Sequence, residues 1–290
     1  MISPPRRRFL SVCAAAGVFT AMPWSRVLAA APLHRWHGIL LGAQVELTIA
    51  HPDTAQAQRL FSLCVREIKR LENIFTLYDS RSELSRLNAD GLLASPSPDM
   101  YTILQQARLC HTITEGAFDV TVRPLEKQGA LDLVGMDKLD ISPAAIRFTR
   151  PGMGVTLNGI GQGYITDRIT ALLDREGLVS ALVELGEKRA IGMHPDGRPW
   201  FLALPDTDRP APLSAGLALA TSAARSPDTG RNHIYVPQSG RFAQAHNSVS
   251  VVAESAALAD ALSTGFMALP LHKVRTIEEQ NPQIKATYFS

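Results

Sequence analysis

The chain has 290 residues, 46% hydrophobic and 19% charged, with three cysteines and a formal net charge of +2. That apolar content supports a large core, and three cysteines are too few for a disulfide-stapled scaffold. Arg6, Arg7, Arg8 and Arg26 precede residue 30 and no acid does, so removing that segment subtracts four positive charges and takes +2 to −2. No basic run interleaved with aromatics occurs elsewhere, which leaves nucleic-acid binding without support. The absence of CxxC, HExxH or any Cys/His cluster does the same for zinc and redox chemistry.

Residues 1–30 predict a twin-arginine signal peptide. Arg6-Arg7-Arg8-Phe9-Leu10 is a basic start, a weakly apolar stretch follows to Val18, and small residues occur at Ala29-Ala30-Ala31. The apolar run, broken by Ser11 and Gly17, is too short for a confident membrane span, although an uncleaved anchor stays open. The expectation is export through the twin-arginine machinery and a periplasmic location for residues 31–290. That route carries folded proteins and suits a chain that takes up a ligand before export.

Gly38 to Ala50 alternates through Val45, Leu47 and Ile49 as a strand. Thr54 to Phe75 places Leu60, Phe61, Cys64, Ile68, Leu71 and Phe75 on one helical face. Met100 to Ile113 repeats that pattern behind a Ser97 cap and Pro98. Arg147–Leu157, Ala181–Leu185 and Ser248–Val252 read as strands, the proline-rich Asp206–Leu213 as a surface loop, and Ser255 opens a last helix to about Leu269. The fold class is α/β with a mixed sheet, a single domain of one or two lobes. Cys64 and Cys110 fall on apolar helix faces and read as buried thiols, with a disulfide still open.

Three segments carry chemistry. Gly159, Gly161 and Gly163 follow the apolar Val155 and Leu157 and open a helical pattern of Ile165, Ile169, Leu172 and Leu173. Bare backbone amides at a helix N-terminus favour anions, phosphates above all, although a plain tight turn would read the same way. The spacing is GxGxG, not the GxGxxG of dinucleotide-binding βαβ units, and no acid ends a second strand about 20 residues on, so NAD is not expected. Asp260 and Thr264 lie four apart and share a helix face, offering hard oxygens of the kind Mg²⁺ accepts when phosphates complete its shell. An ordinary capping or solvent-facing pair is the alternative, but the flanking Ala256 to Leu262 is so apolar that an unpaired Asp260 would be costly. His233 can accept the proton of an attacking hydroxyl, or be an exposed loop histidine.

These segments and others, in chain order, resemble the ApbE family, the FAD:protein FMN transferases. The carriers are Leu77–Asn88, Gly116–Leu125, Leu157–Arg168, His233–Gly240 and Ala259–Thr264. The resemblance implies an ApbE-like, T-fold-related domain over 31–290 that binds FAD and Mg²⁺. It places Tyr78 against the flavin and makes Asn88, at the end of that motif, a cofactor-binding residue. Gly116, Asp119 and Thr121 fall at the adenosine end, Asp167 on ribose or adenine, and Gly159, Gly161, Gly163 and Ser222 along the ligand. The metal ligands it implies are Asp260, Thr264 and the Gly161 carbonyl, with His233 as catalytic base. The partner would be an exported or membrane flavoprotein that accepts FMN on Thr or Ser.

The chain departs from the family pattern in three places. Gln162 stands for the usual lysine, Glu187 follows Gly186 where the family has a second glycine, and Ala223 replaces another glycine. Leu157–Arg168 with Gln162, and the Gly186-Glu187 pair, resemble the NosX-like subgroup attached to nitrous-oxide respiration, which implies a NosR-like acceptor in denitrification. The three departures keep two alternatives open: a non-catalytic flavin-binding accessory protein, and a pyrophosphatase splitting FAD to FMN and AMP.

Overall fold

Alternating apolar residues build one large sheet. In a computed structural model, which describes residues 31–40, 42–204, 210–225, 230 and 232–290, its strands are Leu33–Leu40 (β1), Ala43–Ala50 (β2), Ala181–Leu185 (β3), Glu187–Ile191 (β4), Ala218–Ala223 (β5), Ser248–Ala253 (β6) and Ile284–Phe289 (β7). Each pairs antiparallel with the next in chain order. The signal-peptide expectation for 1–30 lies outside the described residues, as do residues 205–209 of the proline-rich segment.

Seven α-helices occur among the described residues: Thr54–Phe75 (α1), Glu83–Asp90 (α2), Pro98–Ile113 (α3), Arg123–Gln128 (α4), Gly161–Arg175 (α5), Ala256–Phe266 (α6) and Leu271–Gln280 (α7). Strand side chains point alternately to opposite faces. Ala181, Val183 and Leu185 of β3 therefore join the main core under α1, α5 and α6, while Leu182 joins Ala190, Leu219 and Val252 on the other face. There a hairpin of Trp200–Leu202 and Ala211–Leu213 covers them. A smaller region around α2 and α3 carries its own three-stranded sheet of 92–94, 139–141 and 145–148.

The α/β class is as expected, and several elements have the expected bounds. The Asp53 carboxylate accepts the Ala55 and Gln56 amides at the start of α1, and Ser97 and Ser255 cap α3 and α6 through the Met100 and Leu258 amides. Cys64 and Cys110 are both buried free thiols.

Other elements differ. Gly38–Ala50 is not one strand but parts of two, β1 and β2, paired down to Leu40 and Ala43. The Arg147–Leu157 strand ends at Phe148. Pro151 and the positive φ of +86° at Gly152 break it, and the Val155 and Thr156 amides go to the Asn88 side chain and the Val120 carbonyl instead of a ladder. Part of the expected surface loop, Ala211–Leu213, is a strand whose Ala211 and Leu213 are buried. The helix after Ser255 is not the last, because α7 and β7 follow and β7 completes the sheet edge.

Two contacts hold the helical layer in register. The Tyr164 hydroxyl of α5 donates to Asp99 of α3 at 2.8 Å, and Arg70 of α1 donates to the other Asp99 oxygen at 2.8 Å. On the opposite side, α5 meets α6 backbone to backbone at Gly163, where a Cβ would overlap the Ala256 carbonyl. Gly163→Ala should force the helices apart and destabilise the protein by about 1–3 kcal/mol, the usual cost of overpacking. Urea unfolding of the variant beside the parent measures that loss.

Candidate functional site

The junction of α5 and α6 is also the floor of a cavity of about 350 Å³. Its walls come from Ala117 to Val120, from the glycine turn at Asn158, Gly159 and Gln162, from Thr221 to Ala223 of β5, and from the His233 to Tyr235 loop. Glu187, Asp260 and Thr264 complete them.

Asp260 is buried, and one of its oxygens accepts the Gly163 amide at 3.0 Å. One turn on, Thr264 Oγ1 lies 3.1 Å from Ser222 Oγ, which also contacts Ser263 Oγ at 2.8 Å. Gly159 packs directly on Thr264, since a Cβ there would stand 2.8 Å from its hydroxyl oxygen. A carboxylate, a bare stretch of backbone and a cluster of hydroxyls thus converge.

Electrostatics set the character of the cavity. Burial raises the Asp260 carboxyl from its ordinary 3.8 to about 7; the Gly163 amide opposes the shift and the Asp167 charge adds to it. Glu187 is raised well above its usual range by burial first and by the Asp260 charge second. Asp119 is raised by burial as well, against hydrogen bonds from Thr121, whose amide and hydroxyl donate to Oδ1 at 2.8 and 2.6 Å. Among the described residues no lysine or arginine lines the cavity.

A second cleft of about 490 Å³ lies on the other side of the glycine turn, between Phe75 to Tyr78 and Leu157, Gly161 and Ile165. Asn158 and Gln162 line both spaces, so the turn is a shared partition. Tyr78 stands fully exposed at the rim of this cleft, its ring open to a planar partner.

Of the residues singled out from sequence, His233, Asp119, Gly159, Ser222, Asp260 and Thr264 meet in the cavity, and Tyr78 and Gly161 line the cleft. Gly161 also gives its amide to the Leu157 carbonyl. The others lie elsewhere. Asn88 spends its side-chain amide on the Val155 main chain, at 2.9 and 2.6 Å. Asp167 caps α6 through the Ala256 and Ala257 amides at 2.8 and 3.0 Å and pairs with Arg189, so its oxygens are engaged away from the cavity. Thr121 is buried behind Asp119 and accepts the Gly135 amide at 2.7 Å. Gly116 forms the positive-φ turn (+84°) after α3, and Gly163 serves the helix contact. Gln162 and Glu187, read from sequence only as departures, are lining residues. The available signal for Glu187 was its place directly after Gly186, where the family pattern has a second glycine, since the adjacent Lys188 and Arg189 are charged as well.

Fold and site together define a ligand-binding α/β protein whose cavity combines helix-N-terminal amides with carboxylate and hydroxyl oxygens. The sequence profile of the ApbE family matches residues 41–288, and the chain belongs to that family. It is 28% identical over 270 residues to the FAD:protein FMN transferase of Haemophilus influenzae, covering 79% of this chain and 78% of that one. The protein of the same name from Salmonella typhimurium is 26% identical over 297 residues, covering 89% and 82%. Among solved structures, the flavin transferase ApbE from Vibrio cholerae superposes with a TM-score of 0.76 at 25% identity, covering 89% of this chain and 98% of that one. The apo flavinyl transferase ApbE of Pseudomonas stutzeri gives 0.78 at 25% identity, covering 89% and 90%.

The raised Asp260 carboxyl has a consequence for stability. With the folded value above the unfolded one, the folded state binds more protons between about pH 4 and 7, so stability is full below that window and falls as pH rises through it. Thermal melts in chelator should show that fall. Asp260→Asn should flatten it.

Proposed function

We propose that the chain is an FAD:protein FMN transferase that moves FMN from FAD to a threonine or serine of an acceptor protein. One observation carries this reading: the cavity holding Asp260, Thr264, Ser222 and His233 and the cleft holding Tyr78 share the glycine turn as their partition. A dinucleotide has two ends and a pyrophosphate between them. Two spaces divided by a glycine turn at a helix N-terminus match that shape, and the names of the relatives agree with it.

The donor set also fits Mg²⁺. Asp260, Thr264 and the Gly161 carbonyl implied by the family resemblance supply hard oxygens, and no cluster of three or more His, Cys, Asp or Glu able to hold a metal occurs among the described residues. A cation held by so few carboxylates depends on phosphate oxygens to fill its shell. Bound there, it would neutralise charge developing on the phosphate.

The chain's own residues then divide the work. Tyr78 offers a face to a flat ring, and the positive end of the α5 dipole faces negative charge. His233, an exposed residue on the cavity wall, takes the proton from the acceptor hydroxyl. The hydroxyl oxygen forms a bond to the FMN-side phosphorus, the bond from that phosphorus to the bridging oxygen breaks, and AMP departs with that oxygen. We infer a periplasmic site of action from residues 1–30. The likeness of Leu157–Arg168 and of Gly186-Glu187 to the NosX-like subgroup suggests a NosR-like acceptor of nitrous-oxide respiration.

Incubation with FAD, Mg²⁺ and a flavin-acceptor domain, followed by denaturing electrophoresis, should leave a fluorescent acceptor band. His233→Ala should lower the transfer rate by about 10²-fold or more while FAD binding persists. AMP release without acceptor labelling would support a pyrophosphatase instead, and tight FAD retention with no turnover an accessory protein.

A further inference from the structure

Glu187 has no part in the transfer chemistry described above, yet it sits in the same cavity wall as the cation donors. It is the first residue of β4, immediately after Gly186, whose φ of +97° reverses the chain from Leu185 of β3. The reversal turns the side chain inward, leaving the residue 7% exposed. Its neighbour Lys188 points to the other side of the strand and lines a separate surface groove with Glu46 and Glu184. The nearest lysine in the chain therefore does not enter the cavity.

A buried carboxylate needs hydrogen bonds together with a proton or a cation. Glu187 has a hydrogen bond from the Thr221 main-chain amide. Its cavity neighbour Asp260 is a carboxylate as well, as is Asp119, which has His111 3.4 Å away, and His233 is the single basic lining residue among those described. An anionic pyrophosphate entering such a space either meets like charge or forces these acids to stay protonated, unless a cation is already present. Asp260 and Thr264 project into the cavity from one side, on α6, and Glu187 from another, on the sheet.

We propose that Glu187 is an additional oxygen ligand of the divalent cation at Asp260 and Thr264, so that this chain loads its cation before the dinucleotide arrives. The inference rests on the cation site of the proposed function. A second carboxylate raises the charge count of the donor set, which is what tunes affinity for hard cations. It makes the metal less dependent on phosphate oxygens, and the metal in turn cancels the negative charge that would repel the substrate.

The test is a titration of FAD-free, chelator-treated full-length protein with Mn²⁺, reading free Mn²⁺ from its electron paramagnetic resonance signal. The parent should bind Mn²⁺ without FAD. Glu187→Gln, which keeps the shape and can still accept the Thr221 amide, should weaken binding by roughly 10-fold or more, and Glu187→Asp should restore part of it. Circular dichroism checks that each variant is folded. Equal affinity in parent and Glu187→Gln, or a parent that binds Mn²⁺ only once FAD is added, overturns the proposal and leaves the Asp260 site standing. Undiminished binding by Asp260→Ala would overturn the cation site itself.

Discussion

The site depends on one backbone contact, the approach of α5 to α6 at Gly163. No side chain fits between Gly163 and the Ala256 carbonyl, so the N-terminal turns of the two helices touch main chain to main chain. Several other features follow from that approach. The Gly163 amide reaches Asp260, the Asp167 carboxylate reaches the first amides of α6, and Gly159 comes against Thr264. A helix N-terminus leaves unsatisfied donors, and here the Gly163 amide of α5 is met by the Asp260 carboxylate while Asp167 meets those of α6. Packing and chemistry are therefore the same constraint, since loosening the helix contact would also disperse the oxygen donors.

That arrangement carries a standing electrostatic cost. Asp119, Glu187 and Asp260 are all buried and all hold their protons more tightly than free carboxylates do. A protein selected for stability alone would fill such a space with apolar groups. Three buried acids beside a helix N-terminus are the arrangement that the cation and phosphate-bearing ligand of the proposed function would balance. The strain is local, because the surrounding layer is held independently by the Tyr164–Asp99–Arg70 bridge across α5, α3 and α1.

Legibility from sequence followed the range of the forces involved. Helices α1 and α3 were readable because a cap and a 3.6-residue apolar stripe are local, and Asp53, Ser97 and Pro98 mark their starts. Strand β3 was readable for the same reason. β1 was missed because Leu33 to Leu40 has no regular apolar alternation and is half-exposed, and β7 because Ile284 to Phe289 lies at the sheet edge with little burial of its own. The Ala211–Leu213 strand hides behind proline content that suggests a loop, and only the pairing to Trp200–Leu202 makes it a strand.

At the site, the sequence alone determined which residue types could do chemistry: a hydroxyl four positions from a carboxylate, a glycine-rich helix start, a histidine in a loop. Those patterns are periodic or compositional and are written into neighbouring residues. Which of them meet was decided only by the tertiary structure. Asp167 and Asn88 looked as suited to a ligand as Asp260, yet backbone amides at α6 and Val155 claim them first. Glu187 and Gln162 looked like losses and lie on the cavity wall. The reason is physical: a polar side chain goes to whichever donor, acceptor or charge the packed fold leaves unsatisfied nearby, and for Asp260 that partner lies 97 residues away in the chain.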